Sequence, residues 1–297
     1  MPRMAPLLLA LLGAPALPPA RPTQGPPGTD IWLASLTLRD GRVSLGTPVN
    51  VTARAGYDNQ PAFLPDGSGL LYTRIGGDAQ ADVWRYDFAT GSARAIITTP
   101  ESEYSPTPIP GGGISVVRVE RDSTQRLWRF DSDGSNPTLL LERLKPVGYH
   151  AWTGDRTLAL FVLGDPNALV LATTGTDRAD TVARDIGRSP QSVPGRHAAT
   201  FVQRVDSTES WLAEVDGETR AVRRLVRLPR GADFHAWTPG GLVLTSDGVT
   251  LYQWDSHAAG PWVPVADLAS LGLRGATRLA VSPRGDRLAL VAPDPSP

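Results

Sequence analysis

The chain has 297 residues, no cysteine, 30 glycines, 28 prolines and a formal net charge of −1 at pH 7. The lack of cysteine excludes disulfides and a lipid-modified cysteine, so we expect sheet packing alone to hold the fold. The balanced charge, without a long run of one sign, argues against nucleic-acid partners.

The first 20 residues have the character of a secretory signal peptide. They combine one arginine, a short apolar stretch and small residues, and they are too short and too rich in proline for a membrane span. Cleavage after Ala16 or after Ala20 fits the preference for small residues. Residues 21–28 then form a flexible leader. We therefore expect a periplasmic or secreted bacterial protein that is not an integral membrane protein.

A hairpin with an aromatic position recurs along the chain, first over residues 30–52. Its copies begin with patterns such as Asp30-Ile31-Trp32. The aromatic column consists of Trp32, Trp84, Trp128, Val170, Trp211 and Tyr252. We interpret the column as packing between neighbouring sheets, with ligand stacking as the alternative.

A second hairpin, built around a proline turn, alternates with the first. The turn Pro65-Asp66-Gly67 recurs, in degraded form, at steps of 40 to 45 residues. The turn positions are Pro65, Pro110, Gly154, Pro194, Pro239 and Pro283. This period, with short apolar strands around glycine-containing turns, is typical of β-propeller blades.

The order of the two hairpins predicts how the ring closes. The hairpin at 30–52 precedes every proline-turn hairpin, and the last proline-turn hairpin, at 277–292, has no partner after it. Pairing the two removes an exposed sheet edge. The sequence thus predicts an all-β, six-bladed β-propeller over residues 29–293, whose last blade is closed by the N-terminal strands. Residues 294–297 form a tail.

The repeat resembles that of the TolB-type, WD40-like propellers. The resemblance rests on the run from Asp58 to Arg74 followed by Asp82-Val83-Trp84, and it covers residues 30–292. The copies at 149–186 and 188–228 lack the Asp-Gly turn. The resemblance implies a binding propeller without the N-terminal domain of TolB. Peptidase propellers carry the same repeat, so it specifies the fold more than the function.

No catalytic motif is recognisable. The sequence has no G-x-S-x-G elbow, no H-E-x-x-H and no phosphate-binding loop, and it predicts no catalytic residue, no cofactor and no metal site. Arginines cluster between residues 220 and 230. We interpret them as the solvent face of an outer hairpin, with a patch for an acidic partner as the alternative.

The candidate site lies where the first strands of the proline-turn hairpins begin. These strands, called inner strands here, line the central channel, so the residues at their starts converge at one channel entry. The predicted binding residues are Asn59, Gln60, Tyr104, Tyr149, His150, Arg188, Asp233, His235 and Arg278. Arginine and tyrosine are frequent binding hot spots. A solvated entry without a ligand is the alternative.

Three functions are compatible with these features. The first is an exported, non-enzymatic binding or scaffold propeller, a monomer that engages a protein or peptide of the bacterial envelope. The second is a propeller enzyme acting on glycans or other small substrates, which needs converging carboxylates. Asp58 and Asp233 are the only acidic residues near the inner-strand starts. The third is a structural member of an envelope assembly.

Overall fold

The computed structural model describes residues 26–294 except positions 177 and 259. The predicted signal peptide, most of the leader and the tail lie outside these residues. In the described part of the chain no helix is long and apolar enough to cross a membrane.

The described residues form strands and turns only. The strands are β1 (Thr29–Arg39), β2 (Arg42–Leu45), β3 (Val49–Asn50), β4 (Tyr57–Phe63), β5 (Gly69–Ile75), β6 (Ala81–Asp87), β7 (Ser92–Ile97), β8 (Ser102–Pro108), β9 (Ile114–Val119), β10 (Gln125–Phe130), β11 (Thr138–Leu139), β12 (Val147–Trp152), β13 (Thr157–Val162), β14 (Ala168–Thr173), β15 (Ala179–Arg184), β16 (Gln191–Ser192), β17 (Ala198–Arg204), β18 (Ser210–Asp216), β19 (Val222–Arg227), β20 (His235–Trp237), β21 (Leu242–Ser246), β22 (Thr250–Asp255), β23 (Val263–Asp267), β24 (Leu279–Val281) and β25 (Arg287–Pro293).

The strands assemble into antiparallel sheets in chain order. Within the described residues, four sheets have four strands each: β8–β11, β12–β15, β16–β19 and β20–β23. A larger sheet joins β24, β25 and β1 to β4–β7, with β2 and β3 paired to β1. Its two parts meet through one parallel pair, Thr29 with Tyr57. This is the predicted all-β propeller. The count of six blades stays a prediction; the candidate blades are the four four-stranded sheets and the two parts of the larger sheet.

The predicted closure through the chain ends is confirmed. Strand β1 pairs antiparallel with β25 from Thr29 opposite Pro293 to Ser35 opposite Arg287. The pairing places Ile31, which has no exposed surface, in an apolar cluster with residues of β25. The N-terminal strand thereby covers the backbone edge that β25 would otherwise present to solvent.

Apolar packing between sheets forms the core. Strands such as β13 and β25 are almost continuously buried because a neighbouring sheet covers each face. The outer strands β7, β15 and β19 carry exposed polar residues. Gly67, in the best-preserved proline turn, has φ of 72°, which favours glycine because it lacks Cβ.

Two tryptophans of the aromatic column, Trp84 and Trp128, pack against apolar clusters that two neighbouring sheets share, and an arginine lies over each ring. Trp84 is half-buried against an apolar cluster, and the Arg74 guanidinium carbon lies 4.1 Å from its ring centroid. Trp128 is covered by Arg118 at 4.4 Å, and its indole N–H donates to Glu120 Oε1 at 2.8 Å. These contacts agree with the packing interpretation.

We predict that a disulfide across the closing strands stabilises the ring. Ser35 and Arg287 are paired, partly accessible positions, and the chain has no other cysteine. The double variant Ser35→Cys/Arg287→Cys should form a bond under oxidising conditions and raise the free energy of unfolding by about 2–4 kcal/mol. Urea unfolding with and without reductant measures the gain. If the two introduced thiols remained free after oxidation, the result would contradict the pairing of Ser35 with Arg287.

We predict that Trp84 is a stability residue. Trp84→Ala should lower the free energy of unfolding by about 2–4 kcal/mol, because it removes a large half-buried ring and its contact with Arg74. Trp84→Phe keeps an aromatic ring and should cost about half as much. An unchanged urea midpoint for Trp84→Ala would refute the packing role.

Candidate functional site

The inner strands surround a central cavity of about 420 Å³. It extends from the channel entry, where these strands begin, to the turn end, where the proline turns Pro194, Pro239 and Pro283 border it. One residue from each repeat lines it near the entry: Gln60, Ser105, Tyr149, Ser189, Phe234 and Arg278. The alignment of the repeats thus places one matching position around a single axis.

An aromatic groove adjoins this cavity at the entry. It encloses about 460 Å³ and is lined by Tyr57, Tyr104 and Phe161 among others. Tyr149 and Arg188 line both the groove and the cavity. The two spaces therefore form one continuous surface at the channel entry.

The phenols and guanidiniums at the entry lie close enough to influence one another. Burial raises the pKa of Tyr57 to about 12, although the charges of Arg278 and Arg188 act in the opposite direction. Burial also raises the pKa of Tyr104, and the Tyr149 phenol adds to the increase. Tyr57 and Tyr104 therefore stay protonated and can donate hydrogen bonds near neutral pH.

Arg278 spans the channel at the entry. Its Nη2 donates to the Tyr149 hydroxyl at 2.8 Å, and its guanidinium carbon lies 4.6 Å from the ring centroids of both Tyr149 and Phe234. Tyr149 lies on β12, whereas Arg278 directly precedes β24. Hydrogen bonding and cation–π contacts thus hold this side chain in place.

Arg188 is the cation that remains available. It is exposed, and it makes no ion pair or hydrogen bond with another described residue. It follows β15 and directly precedes the buried Ser189. The backbone therefore fixes its position while the guanidinium stays open to a ligand.

Gln60 and Asn59 connect strands rather than project freely. Gln60 Oε1 accepts hydrogen bonds from Thr73 Oγ1 at 2.8 Å and from the Ser105 backbone N–H at 2.6 Å. Asn59 Oδ1 accepts from the Gln60 N–H at 2.8 Å, and Asn59 Nδ2 donates to Thr29 Oγ1 at 3.1 Å. Both side chains are buried, so they shape the entry more than they contact a ligand.

The backbone is unusual at two matching entry positions. Gln60 has φ of 59° and Ser105 has φ of 54°, values in the left-handed region that few residues other than glycine adopt. Ser105 Oγ is buried in the cavity wall without a hydrogen-bond partner among the described residues. Strain of this kind and an unpaired oxygen are frequent at binding sites.

The two predicted histidines lie between sheets. His150 Nε2 is 2.7 Å from Ser115 Oγ, and His235 Nε2 is 2.8 Å from Thr200 Oγ1. The tryptophan two residues after each histidine donates its indole N–H to the same hydroxyl. Both imidazoles are buried, and His235 does not line the cavity. They therefore support the entry and are not exposed ligand contacts.

The two carboxylates near the entry are engaged by arginines. Arg204 Nη2 donates to both oxygens of Asp233, at 3.0 and 2.9 Å, and Asp233 lines neither space. Asp58 is buried, and its Oδ2 lies 2.9 Å from Arg54 Nε. Burial raises the pKa of Asp58, with Arg54 acting in the opposite direction.

The structure adds Tyr57, Phe161 and Phe234 to the predicted set. Phe234 occupies the same repeat position as Gln60 and Arg278, so the alignment of the repeats already indicates that Phe234 lies at the entry. Tyr57 begins β4, and Phe161 belongs to β13, the second strand of its sheet. Only the packing of neighbouring sheets brings these two rings to the entry, so the repeat pattern contains no comparable signal for them.

Comparison with solved structures finds the same fold in proteins of different function. A protein assigned as TolB from Agrobacterium tumefaciens aligns with a TM-score of 0.71 and 16% identity, over 90% of this chain and 99% of that chain. A gluconolactonase from Xanthomonas campestris aligns at 0.62 and 14%, over 92% and 99%. An oligogalacturonate lyase in complex with manganese aligns at 0.58 and 17%, over 83% and 80%.

These similarities show the fold, a TolB-like β-propeller, and not an activity, because each of these three identities is below 25%. No protein-family profile and no curated sequence matches the chain.

We predict that the buried histidines make the fold sensitive to acid. Burial lowers the pKa of His150 and of His235 to about 3, whereas an unfolded histidine titrates near 6.5. Between these values the unfolded chain binds protons that the folded chain does not, so stability falls as the pH falls below 6.5. Each histidine should contribute about 1.4 kcal/mol per pH unit.

The measurement is urea unfolding at pH 7.5 and pH 5 for the wild type and for His150→Gln/His235→Gln. The variant should lose less stability between the two pH values than the wild type does. An equal loss in both proteins would show that the imidazoles do not set the acid sensitivity.

Proposed function

We propose that this protein is an exported, non-enzymatic binding propeller that engages a protein or peptide partner at the channel entry. One observation supports the proposal above all others. The guanidinium of Arg188 is exposed, has no partner among the described residues and lies beside three tyrosines. The entry opens into an aromatic groove and a central cavity that together can accept an extended segment.

The chemistry of the entry favours a partner with an acidic group. Arg188 has its guanidinium donors available, and a carboxylate can accept two of them at once. Arg278 adds positive charge, although Tyr149 and Phe234 hold it. Tyr57 and Tyr104 offer apolar ring surface with hydroxyl groups that can donate hydrogen bonds, a combination typical of binding hot spots.

The alternative is an enzyme acting on glycans or other small substrates at the same entry. Solved structures with this fold include a gluconolactonase and an oligogalacturonate lyase. Hydrolysis by a carboxylate pair would need two acidic groups facing the cavity. Asp58 and Asp233 are instead bound by Arg54 and Arg204, so the residues at the entry favour binding.

The proposed location is the bacterial periplasm or the exterior, and the proposed partner belongs to the envelope. The location rests on the signal-like residues 1–20, which lie outside the described structure. We propose a monomer, because the closed ring pairs the strands at both ends of the chain and leaves the entry open.

We predict that charge reversal at Arg188 weakens partner binding and leaves folding intact. Arg188→Glu places a negative charge against the acidic group of the partner, so the affinity should fall at least tenfold, or about 1.4 kcal/mol. The partner is first captured from envelope extract on the mature protein, then identified, purified and titrated calorimetrically against each variant.

Arg94→Glu is the matched control, because Arg94 is an exposed arginine on the outer strand β7. It should bind as the wild type does. Tyr104→Ala should weaken binding without reversing a charge. If Arg94→Glu abolished binding while Arg188→Glu and Tyr104→Ala left it unchanged, the binding surface would be the perimeter of the ring and the proposal would fail.

A further inference from the structure

A second cleft lies at the turn end of the channel, between the sheet β16–β19 and the sheet β20–β23. It encloses about 510 Å³ and is bordered by the turn prolines Pro194 and Pro239, which also border the central cavity. Arg188 and Arg278 do not line it. The cleft is therefore separate from the entry used in the proposed function.

A buried carboxylate with two arginines forms one wall of this cleft. Glu214, whose side chain is 4% exposed, accepts hydrogen bonds from Arg196 Nη1 at 2.7 Å and Nη2 at 2.9 Å. Arg223 donates to the same carboxylate through Nε, at 3.1 Å from Oε1. Arg196 alone satisfies both oxygens, so Arg223 brings a positive charge in excess of what the carboxylate needs.

The local charge balance is positive. Glu214 is the only acidic residue among the described residues that line the cleft, whereas three arginines line it, Arg196, Arg223 and Arg224. The side chains of Arg196 and Arg223 remain 48% and 63% exposed, so solvent or a ligand can reach them. An incoming anion would thus meet a net positive charge, with three arginines against one carboxylate.

The two guanidiniums are also fixed in orientation. Glu214 holds Arg196 through both terminal nitrogens and holds Arg223 through Nε and Nη2, which lies 3.0 Å from Oε1. The N–H groups that point away from Glu214 make no other hydrogen bond to a described residue. Because the side chains are already ordered, binding an oxyanion to these donors costs little further conformational entropy.

The opposite wall combines two tryptophans with the polar Ser256 and His257, and the cleft has room. The indole N–H groups of Trp237 and Trp254 donate to Thr200 Oγ1 and to the Gly260 carbonyl, so the two tryptophans line the cleft with no indole N–H left to donate. A Cβ built on Gly240 meets no atom within 4 Å. The volume is at the scale of small-molecule sites.

We infer that this cleft binds a small molecule in which a carboxylate, phosphate or sulfate group is attached to a compact ring. The oxyanion lies against the outer N–H groups of Arg196 and Arg223, and the ring packs beside Trp237 and Trp254. Fixed donors for the oxyanion, a net positive charge, two tryptophans and open space occur together at this cleft. The inference does not rest on the proposed function: none of these residues lines the entry groove, although Trp237 also lines the central cavity.

The test is calorimetric titration of the mature protein with D-galacturonate, with inorganic phosphate and with neutral D-galactose, while tryptophan fluorescence is recorded. Galacturonate supplies a carboxylate on a ring, phosphate supplies the oxyanion alone, and galactose supplies the ring alone. Galacturonate should bind most tightly and change the fluorescence, phosphate should bind more weakly, and galactose should bind at least tenfold more weakly than galacturonate.

Two variants locate the binding. Arg223→Gln removes one of the positive charges and the fixed donors of that side chain, and it leaves the Arg196–Glu214 pair in place. It should weaken galacturonate binding at least tenfold. Gly240 lines the cleft, and a side chain added there meets open space. Gly240→Phe should therefore place an aromatic ring where the ligand would lie and abolish binding. Arg94→Gln is the control at an exposed arginine and should bind as the wild type does. Thermal unfolding of each variant confirms that it is folded.

Three results would overturn the inference. The first is that neither galacturonate nor phosphate binds at millimolar concentration. The second is binding that survives both Arg223→Gln and Gly240→Phe, which would place the ligand elsewhere. The third is equal affinity for galactose and galacturonate, which would remove the role of the oxyanion. Arg188→Glu should leave galacturonate binding unchanged, so this test and that of the proposed function fail separately.

Discussion

The pairing of β1 with β25 is the constraint on which the rest of the structure depends. Each sheet of the ring buries its faces only because a neighbouring sheet stands on either side, and an open ring would expose two such faces and an unpaired backbone edge. The closing pairs, from Thr29–Pro293 to Ser35–Arg287, join residues near the two ends of the described chain. Without a disulfide to hold it, the closure relies on backbone hydrogen bonds and on buried residues such as Ile31 and Val291.

The same ring geometry determines which polar side chains are buried and which are exposed. Near the entry, a side chain turned between two sheets becomes buried, as His150 and His235 do against Ser115 and Thr200. Burial lowers the pKa of both imidazoles to about 3, which keeps them neutral and suits packing better than ligand binding. A side chain at the channel entry, such as Arg188, instead stays accessible to solvent.

The two ends of the channel differ in their chemistry. The entry combines tyrosines with Arg188 and with Arg278, which Tyr149 and Phe234 hold across the channel. At the turn end, Glu214 orders two arginines beside a cleft that two tryptophans also line. Solved structures with this fold include TolB proteins and a gluconolactonase, so the residues at these two ends, rather than the fold, decide what the chain does.

The sequence by itself determined the propeller, its closure through the chain ends and most of the entry, because hairpins that repeat every 40 to 45 residues place matching positions around one axis. Gln60, Tyr149 and Arg278 follow from that register. Tertiary structure alone decided which side chains are exposed: both histidines are buried, Asp233 binds Arg204, and Tyr57 and Phe161 join the groove. The cleft at Glu214 also needed the structure, because Arg196, Arg223 and Trp254 lie in different hairpins. A repeat fixes where a backbone position lies, whereas the contacts of its side chain depend on how neighbouring sheets twist and pack.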